Sequence, residues 1–513
     1  MKTQKINIIN FVRGCEPRYE TDLYEPLREE LALCKKYGFD NTVLLQYDAM
    51  LRNDIMALVK GETDGRTEVG VWIEIVRPLC EACGLQWRGR DGWDWDWHIV
   101  PGFLMAYTQS ERMALCDEIM RLFFEKFGYY PRSVGSWLLD GFSMGYMTEK
   151  HGVKAYCVCR DQDNTDAYTL WGGYFNGGYY PSKVNMLSAA VDMKNAIKTP
   201  TFRMLCPDPI YNYLNTVRPK RFERGPYTLE PTWKCGQLPD VISWYFKWFC
   251  DERCLSLSYM QIGQENSFPW STVKDGLEEQ LRQLDELRRN GKVSVEKLGD
   301  TGEAFMREYP ENVPEALTAL DDWDGNNCKS VWYMSKYYRA NLFFEDGKLY
   351  FRDIHKFDDD YRERYYDDVC TTNPAIYDTL PVCDGWNLHD EKASGTMNIG
   401  DGFYDLKVEK RDGGLTVDAD GPRDVKITFS EGKICVHGSA LSLDAKAEFA
   451  DNISVVGNAV KMIHRGFEYE MKFAGRLEKT PRGYDILPIG GKVELVFGQN
   501  KNPRRKHRFL LTK

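Results

Sequence analysis

The sequence predicts an α/β protein, a (β/α)7 barrel followed by a C-terminal antiparallel β-sandwich, and two patterns lead to that expectation. Over residues 1–324, short apolar and β-branched runs alternate with amphipathic helical stretches, as in parallel strands joined by crossover helices. Beyond residue 324, short alternating segments are separated by Asp-Gly, Gly-Gly and Glu-Gly turns, which are typical of antiparallel hairpins. We therefore expect a barrel domain over 1–324, a β-rich connecting segment over 325–389 and a β-sandwich over 390–513.

The barrel prediction rests on counting strands and on local helix signals. Thr108 and Glu111 form a capping box ahead of an amphipathic stretch over 113–127, and Gly128 follows it as a stop. A short run from Val293 predicts an additional edge strand. The seven apolar runs that predict the barrel strands begin at Ile6, Thr42, Val69, Ser133, Ala155, Phe202 and Leu255.

Composition and charge narrow the class of partner. The formal net charge of −10 disfavours nucleic acid, because that binding needs a dense set of Lys and Arg near phosphates. The basic cluster over 501–508 has no interleaved aromatic platform and is expected to be a solvated strand face or tail. Aromatic residues are abundant, with 14 Trp and 30 Tyr, and although most will fill cores, flat rings also stack on sugars. A carbohydrate partner is therefore expected.

The first residues and the cysteines predict a cytoplasmic protein without a membrane partner. The start lacks the apolar region and cleavage site of a signal peptide, and no long apolar run follows. The 15 cysteines are odd in number and lack framework spacing, so reduced thiols are expected. Cys80 and Cys83 form a C-x2-C pair, but no second pair follows at zinc-finger spacing, so no metal is expected there.

Polar residues follow nearly every predicted strand, where active sites of parallel α/β proteins lie. Asp often caps the next helix, and Arg–carboxylate networks brace barrels, so a structural role is open for each. Asp140 and Glu265 stand out because each closely follows an apolar strand and has a Gly within two residues. Glu74 lies inside an apolar run and needs a partner, which we expect to be Arg77 or Arg18. The candidates for substrate contact at strand ends are Glu16, Arg18, Asp48, Glu74, Asp161, Asp208 and Gln264.

Two aromatic loops predict a sugar-binding surface. Trp and Asp alternate between the third and fourth strands, an arrangement that can stack a sugar ring and grip its hydroxyls. The Gly-rich loop after the fifth strand is similar, although such a loop can also pack on itself. The candidate contact residues are Trp93, Trp95, Trp97 and His98 in the first loop, Trp137 beside Asp140, and Trp171 and Tyr174 in the second loop.

The stretch Tyr-Pro-Arg-Ser-Val-Gly-Ser-Trp-Leu-Leu-Asp-Gly-Phe-Ser that ends at Ser143 resembles the central motif of glycoside hydrolase families 57 and 38. The strand order is similar to that of polysaccharide deacetylase-like (β/α)7 barrels. In the hydrolase families, a carboxylate near the end of the fourth strand is the nucleophile. The resemblance therefore implies Asp140 as nucleophile and, more loosely, Glu265 as general acid/base. The Gly-Trp-Asp-Trp-Asp-Trp and Gly-Gln-Glu-Asn blocks also resemble those of a family from gut bacteria.

The departures from these families favour a carboxylate mechanism. The His-x-His and His-x-Asp openings of the first strand are absent, as is the Thr-Phe-Asp-Asp with His-x-x-x-His that holds a metal in deacetylases. We therefore expect a glycoside hydrolase that cleaves by retention without a cofactor, with Glu74 and Asp208 as substitutes if Asp140 and Glu265 lie beyond roughly 9.5 Å. A metal-dependent carbohydrate deacetylase and a non-catalytic glycan-binding protein are the alternatives, and a homo-oligomer is compatible with each.

Overall fold

A computed structural model describes residues 4–165, 167–212, 218–221, 225–251, 253–384, 395–445, 452–481 and 483–499. The basic cluster over 501–508 lies outside the described residues. No helix among them is long and apolar enough to cross a membrane. The helices are α1 Tyr24–Tyr37, α2 Asn53–Glu62, α3 Arg77–Ala82, α4 Ile99–Gly102, α5 Gln109–Phe127, α6 Gly141–His151, α7 Pro239–Phe249, α8 Trp270–Arg289 and α9 Leu298–Glu308.

The strands fall into an N-terminal and a C-terminal group. The first group comprises β1 Gln4–Val12, β2 Asn41–Leu45, β3 Thr67–Trp72, β4 Ser133–Ser136, β5 Ala155–Cys159, β6 Gln162–Thr165, β7 Tyr168–Trp171, β8 Gly178–Tyr179, β9 Pro181–Ser182, β10 Asn185–Ala189, β11 Thr201–Met204, β12 Tyr259–Ile262 and β13 Val293–Glu296. The second comprises β14 Glu315–Ala319, β15 Lys329–Met334, β16 Tyr338–Glu345, β17 Lys348–Lys356, β18 Ala375–Asp378, β19 Leu380–Asp384, β20 Thr396–Gly400, β21 Asp405–Arg411, β22 Gly414–Asp420, β23 Val425–Ser430, β24 Lys433–His437, β25 Leu441–Asp444, β26 Ile453–Val456, β27 Ala459–His464, β28 Phe467–Ala474, β29 Arg476–Thr480, β30 Gly483–Leu487 and β31 Lys492–Val496.

The N-terminal half is built on one curled parallel sheet. Its strand order is β12-β1-β2-β3-β4-β5-β11, each pair parallel, which matches the seven predicted runs. The run from Val293 forms β13, which pairs in parallel with β1 as predicted. Among the described residues, no ladder joins β11 to β12, although the Gln261 amide donates to Cys206 Sγ across the gap. An α/β half-barrel is confirmed, and closure into a complete (β/α)7 barrel stays a prediction.

Local sequence signals set the helix ends. The α5 helix begins at the predicted capping box, in which Thr108 Oγ1 accepts from the Glu111 amide while the Glu111 carboxylate accepts from the Thr108 amide. The helix ends at Gly128, whose φ of 78° lies in the left-handed region that favours glycine. The helices therefore connect the strands of the sheet where the sequence pattern predicts them.

The two large sheets of the C-terminal half are antiparallel, as predicted, whereas β18 pairs in parallel with β7 of the N-terminal half. One sheet has the order β14-β15-β16-β17-β20-β25-β30-β29, and the other has the order β21-β22-β23-β24-β31-β28-β27-β26. Alternate residues of the facing strands, among them Val417, Ile427 and Val436, are buried in one core. The first sheet takes strands from both 325–389 and 395–499, and the boundary at 389 lies outside the described residues. The division into three segments stays a prediction.

A buried ion-pair network joins the two halves. The Asp161 carboxylate, two residues after β5, accepts from Arg203 Nη2 at 3.0 Å and from Arg339 Nη1 at 2.7 Å. Arg339 lies on β16 and also donates from Nη2 to Asp353 Oδ2 at 3.0 Å. These side chains are at most 3% exposed. The network therefore fixes the antiparallel sheet against the carboxyl end of β5.

The Asp161→Asn variant tests this network. Loss of the carboxylate leaves two buried guanidinium groups short of one anion, so we expect the free energy of unfolding to fall by about 3 to 5 kcal/mol. Urea denaturation followed by circular dichroism measures this change. In the matched control, Glu409→Gln removes a fully exposed ion pair with Lys407 and should leave the midpoint unchanged. An equal response of both variants would contradict the structural role of Asp161.

Candidate active site

A cleft opens at the carboxyl ends of the parallel strands. Its empty space is about 660 Å³, part of which is open to solvent. Several lining residues follow a strand by one to three positions, so the strand ends of the sheet position them. The lining residues are Arg13, Arg18, Glu74, Trp95, Trp97, Phe103, Trp137, Arg160, Gln162, Tyr168, Pro226, Glu230, Trp233, Glu265 and Phe268.

Arg13, the residue directly after β1, is the centre of the cleft floor. Its guanidinium group donates from Nε to Glu74 Oε2 at 3.0 Å and from Nη2 to Glu74 Oε1 at 3.2 Å. The third nitrogen, Nη1, lies 2.8 Å from Glu265 Oε2 and donates to Ser267 Oγ at 3.1 Å. The expectation that Glu74 pairs with Arg77 or Arg18 was wrong, because Arg13 reaches it first across the strand ends. Arg77 instead lies 3.1 Å from Asp94.

Glu74 and Glu265 share one cation but are held differently. Glu74 receives both side-on nitrogens of Arg13 and also accepts from the Trp72 indole N–H at 2.7 Å. Within the described chain, Glu265 accepts a hydrogen bond only from the Ser267 hydroxyl, at 2.6 Å, and its contact with Arg13 is not aligned as a hydrogen bond. Burial therefore raises the pKa of Glu265 to about 7, although Arg13 and Ser267 oppose the rise. A carboxyl with that pKa can hold or release a proton near neutral pH.

The walls of the cleft are aromatic. Phe11 stacks on Trp72 at 4.1 Å between ring centroids, and both meet Trp137 edge-on, so Trp137 is braced from below. Trp95 is buried, and the guanidinium groups of Arg13 and Arg18 lie 4.1 and 4.8 Å from its ring centroid. Part of the predicted sugar-binding surface, the Trp95 ring, therefore packs against two arginine side chains.

The Trp-rich loop over residues 87–98, between β3 and β4, is held together in part by the Asp96 carboxylate. Asp96 is buried and accepts from His98 Nδ1 at 2.7 Å and from the His98 amide at 3.2 Å. The His98 ring stacks on Trp97 at 4.0 Å between ring centroids, while Arg90 lies 4.3 Å from the Trp93 ring centroid. Trp97 lines the cleft, whereas Trp93 and His98 are not among the described lining residues. They lie behind it.

The opposite wall comes from the segment after β11. Glu230 Oε2 accepts from the Trp233 indole at 2.9 Å, and Glu230 Oε1 lies 3.7 Å from Arg160 Nη2. Arg160, the residue directly after β5, donates from Nη1 to Gln162 Oε1 at 2.9 Å. The predicted contact residue Gln264 donates to Thr232 Oγ1 at 3.1 Å and so ties this segment to β12. A third carboxylate, Glu230, therefore faces the cleft.

Asp140 is not among the described residues that line the cleft. It is fully buried as the N-cap of α6, where Oδ1 accepts from the Ser143 amide at 2.9 Å and from Arg112 Nη1 at 3.1 Å. Its Oδ2 accepts from the Ser143 hydroxyl at 2.7 Å. Both oxygens are therefore engaged by groups of α5 and α6.

The other predicted contact residues have structural partners in the described chain. Asp208 accepts from the amides of Ile210 and Tyr211 and from the Trp323 indole, and burial raises its pKa to about 6. Glu16 accepts from both Arg18 Nε and Arg18 Nη2. Four further predicted contact residues are outside the described lining of the cleft. Asp48 accepts from the Gly14 amide, Trp171 donates to Asp353, Tyr174 donates to the Val313 carbonyl, and Asp161 belongs to the ion-pair network between the two halves.

Sequence reasoning missed several lining residues. Arg13 follows an apolar strand as closely as Glu265 does, so its position carried the same signal. Glu230 and Trp233 lie in a long segment without a strand or helix pattern, and nothing local marks them. Among the residues that the structure describes, no three His, Cys, Asp or Glu side chains cluster closely enough to hold a metal ion.

Comparisons with known proteins bear on the fold. No protein-family model and no curated protein matches the chain. It is similar to the solved structure of a candidate glycoside hydrolase/deacetylase from Parabacteroides distasonis, with a TM-score of 0.55 and 14% identity over 75% of this chain and 92% of that one. This confirms the resemblance at the level of the fold.

Two further structures align less closely. One is a candidate polysaccharide deacetylase from Mycobacterium smegmatis, with a TM-score of 0.34 and 10% identity over 60% of this chain and 91% of that one. The other is a GH57 branching enzyme from Thermococcus kodakaraensis, with a TM-score of 0.30 and 12% identity over 60% of this chain and 72% of that one.

The Asp140→Asn variant separates a structural from a catalytic role. The amide cannot neutralise the buried Arg112, so we expect a loss of about 3 to 5 kcal/mol in the free energy of unfolding. Thermal and urea denaturation measure it. Because Asp140 does not line the cleft, ligand affinity of the remaining folded protein should be unchanged. An unchanged stability with lost turnover would restore Asp140 as the nucleophile.

Proposed function

We propose that this protein is a glycoside hydrolase in which Glu265 donates the proton and Glu74 is the ionised partner. The observation that carries the proposal is the shared contact of both carboxylates with Arg13 in a cleft walled by tryptophans. Oxygens bound to nitrogens of one guanidinium group must lie closer together than the roughly 9.5 Å upper limit for a catalytic pair. Glu74 and Asp208 were the substitutes that the sequence offered for the pair of Asp140 and Glu265.

The chemistry follows from the unequal environments of the two carboxylates. Glu265 transfers its proton to the glycosidic oxygen as the bond from that oxygen to the anomeric carbon breaks. Glu74 then forms a bond to the anomeric carbon through a carboxylate oxygen. In the second step Glu265 accepts a proton from water, and the hydroxide oxygen displaces Glu74 from the carbon. Two displacements give retention of configuration.

The cleft also supplies what sugar binding requires. Trp97, Trp137 and Trp233 present ring faces or edges to a space of the size that small-molecule sites occupy. Asp140 has no part in this proposal, because its oxygens are engaged away from the cleft. Glu230 is the remaining carboxylate among the described lining residues. Covalent labelling of the nucleophile distinguishes Glu230 from Glu74 in that role.

The pH dependence tests the role of Glu265. A general acid must be protonated, so kcat/KM should fall as pH rises through about 7, the pKa of Glu265. Values of kcat/KM measured against pH on aryl glycosides, in buffers of constant ionic strength, give this falling limb of the profile. The Glu265→Gln variant should lose it together with at least about a hundredfold in kcat. A limb that persists in the variant would exclude Glu265 as the acid.

Stability provides a second readout for the same variant. The pKa of Glu265 rises from an ordinary 4.5 to about 7 on folding, so its burial destabilises the fold increasingly as pH rises between those values. Gln mimics the protonated carboxyl. At pH 8, Glu265→Gln should therefore be as stable as the parent or more stable, by up to about 3 kcal/mol. Urea denaturation at pH 5 and pH 8 measures the difference, and a variant destabilised at pH 8 would mean that Glu265 is structural.

A further inference from the structure

Arg160 is the cation of the cleft whose charge is least compensated. It is 3% exposed, and its contact with Glu230 Oε1 at 3.7 Å is too long for a hydrogen bond. The other two cleft arginines are held tightly, Arg13 by two carboxylates within 3.2 Å and Arg18 by both oxygens of Glu16. A buried guanidinium group normally requires a close anion.

The described hydrogen-bond partners of Arg160 are uncharged. Nη1 donates to Gln162 Oε1 at 2.9 Å and contacts Cys159 Sγ at 3.5 Å. Glu230 places Oε1 at 3.7 Å from Arg160 Nη2, while its Oε2 accepts from the Trp233 indole at 2.9 Å. Arg160, Glu230 and Trp233 all line the same cleft as the proposed catalytic pair.

The pairing of the described cleft residues leaves Arg160 the most open to a ligand anion. Among the described carboxylates, Arg13 contacts Glu74 and Glu265, Arg18 contacts Glu16, and Arg160 contacts only Glu230, at 3.7 Å. A guanidinium group presents its donors as a planar fork that matches a carboxylate. A neutral sugar hydroxyl would bind one such donor, but it would leave the buried charge uncompensated.

We propose that the sugar bound in this cleft carries a carboxylate, as a uronic acid does, and that Arg160 is the residue that recognises it. This inference rests on the proposed function for the location of the substrate site. The acidic net charge of the whole chain does not oppose an acidic sugar, because the lining of the cleft, and not the whole surface, meets the ligand.

Ligand binding tests the inference without turnover. Methyl glycosides of glucuronic and galacturonic acid are titrated calorimetrically into Glu265→Gln, each beside its neutral parent sugar and its methyl ester. We expect at least one acid to bind about tenfold or more tightly than its neutral parent and its ester, as for a hydrogen bond to a charged group. Equal or tighter binding of the neutral forms, or binding of none of the acids, would overturn the proposal.

Variants assign the effect to Arg160. The added substitution Arg160→Gln should remove the preference, so that the acid, its ester and the neutral parent bind with similar affinities. Arg282→Gln, which removes an exposed arginine on α8, is the matched control and should keep the preference. If Arg160→Gln does not fold, the comparison of acid with ester on the parent still decides the question. Acid binding without turnover of any glycoside would refute the hydrolase and retain the recognition site, whereas turnover of neutral glycosides alone would do the reverse.

Discussion

The buried guanidinium group of Arg13 is the constraint on which the candidate site depends. Only 3% of the side chain is exposed, so its charge has to be balanced by anions that are themselves buried. Glu74 and Glu265 supply them from strand ends on either side of β1, and Trp95 covers the cation from above. The Asn266 side-chain carbonyl accepts from the Arg13 amide, which links the segment after β12 to the end of β1. One cation thus fixes the geometry of the cleft floor.

The same cation gives its two carboxylates different properties. Glu74 takes two nitrogens of Arg13 and an indole N–H, so both of its oxygens accept hydrogen bonds. Glu265 takes one nitrogen at an unfavourable angle and one hydroxyl, so burial dominates and raises its pKa. Asp140 shows the contrast, because Arg112 and Ser143 occupy both of its oxygens outside the cleft. Burial alone therefore does not mark a reactive carboxylate. What distinguishes Glu265 is burial with incomplete compensation beside an open space.

The sequence predicted the parts of this structure that local signals determine. The apolar runs, the capping box at Thr108 and the Gly-containing turns gave the strand order, α5 and the antiparallel half. Glu265 was found because it follows a strand that the pattern marks. The pairing of Glu74 with Arg13 was missed, since it joins residues 61 positions apart through a curvature that no local pattern encodes. The partner of Asp140 was missed for a related reason, because Arg112 lies on the preceding helix. The catalytic role of Asp140 stays a prediction.

Labelling of the nucleophile tests the central claim most directly. A panel of 2-deoxy-2-fluoro aryl glycosides, including uronic acid derivatives, is incubated with the protein, and the modified peptide is located by mass spectrometry. Such compounds leave a sugar covalently attached to the carboxylate that attacks the anomeric carbon. Because Glu74 shares Arg13 with the proposed acid Glu265, we expect the label on Glu74. A label on Glu230 or Asp140 would contradict the account, and so would turnover of a glycoside with inversion of configuration.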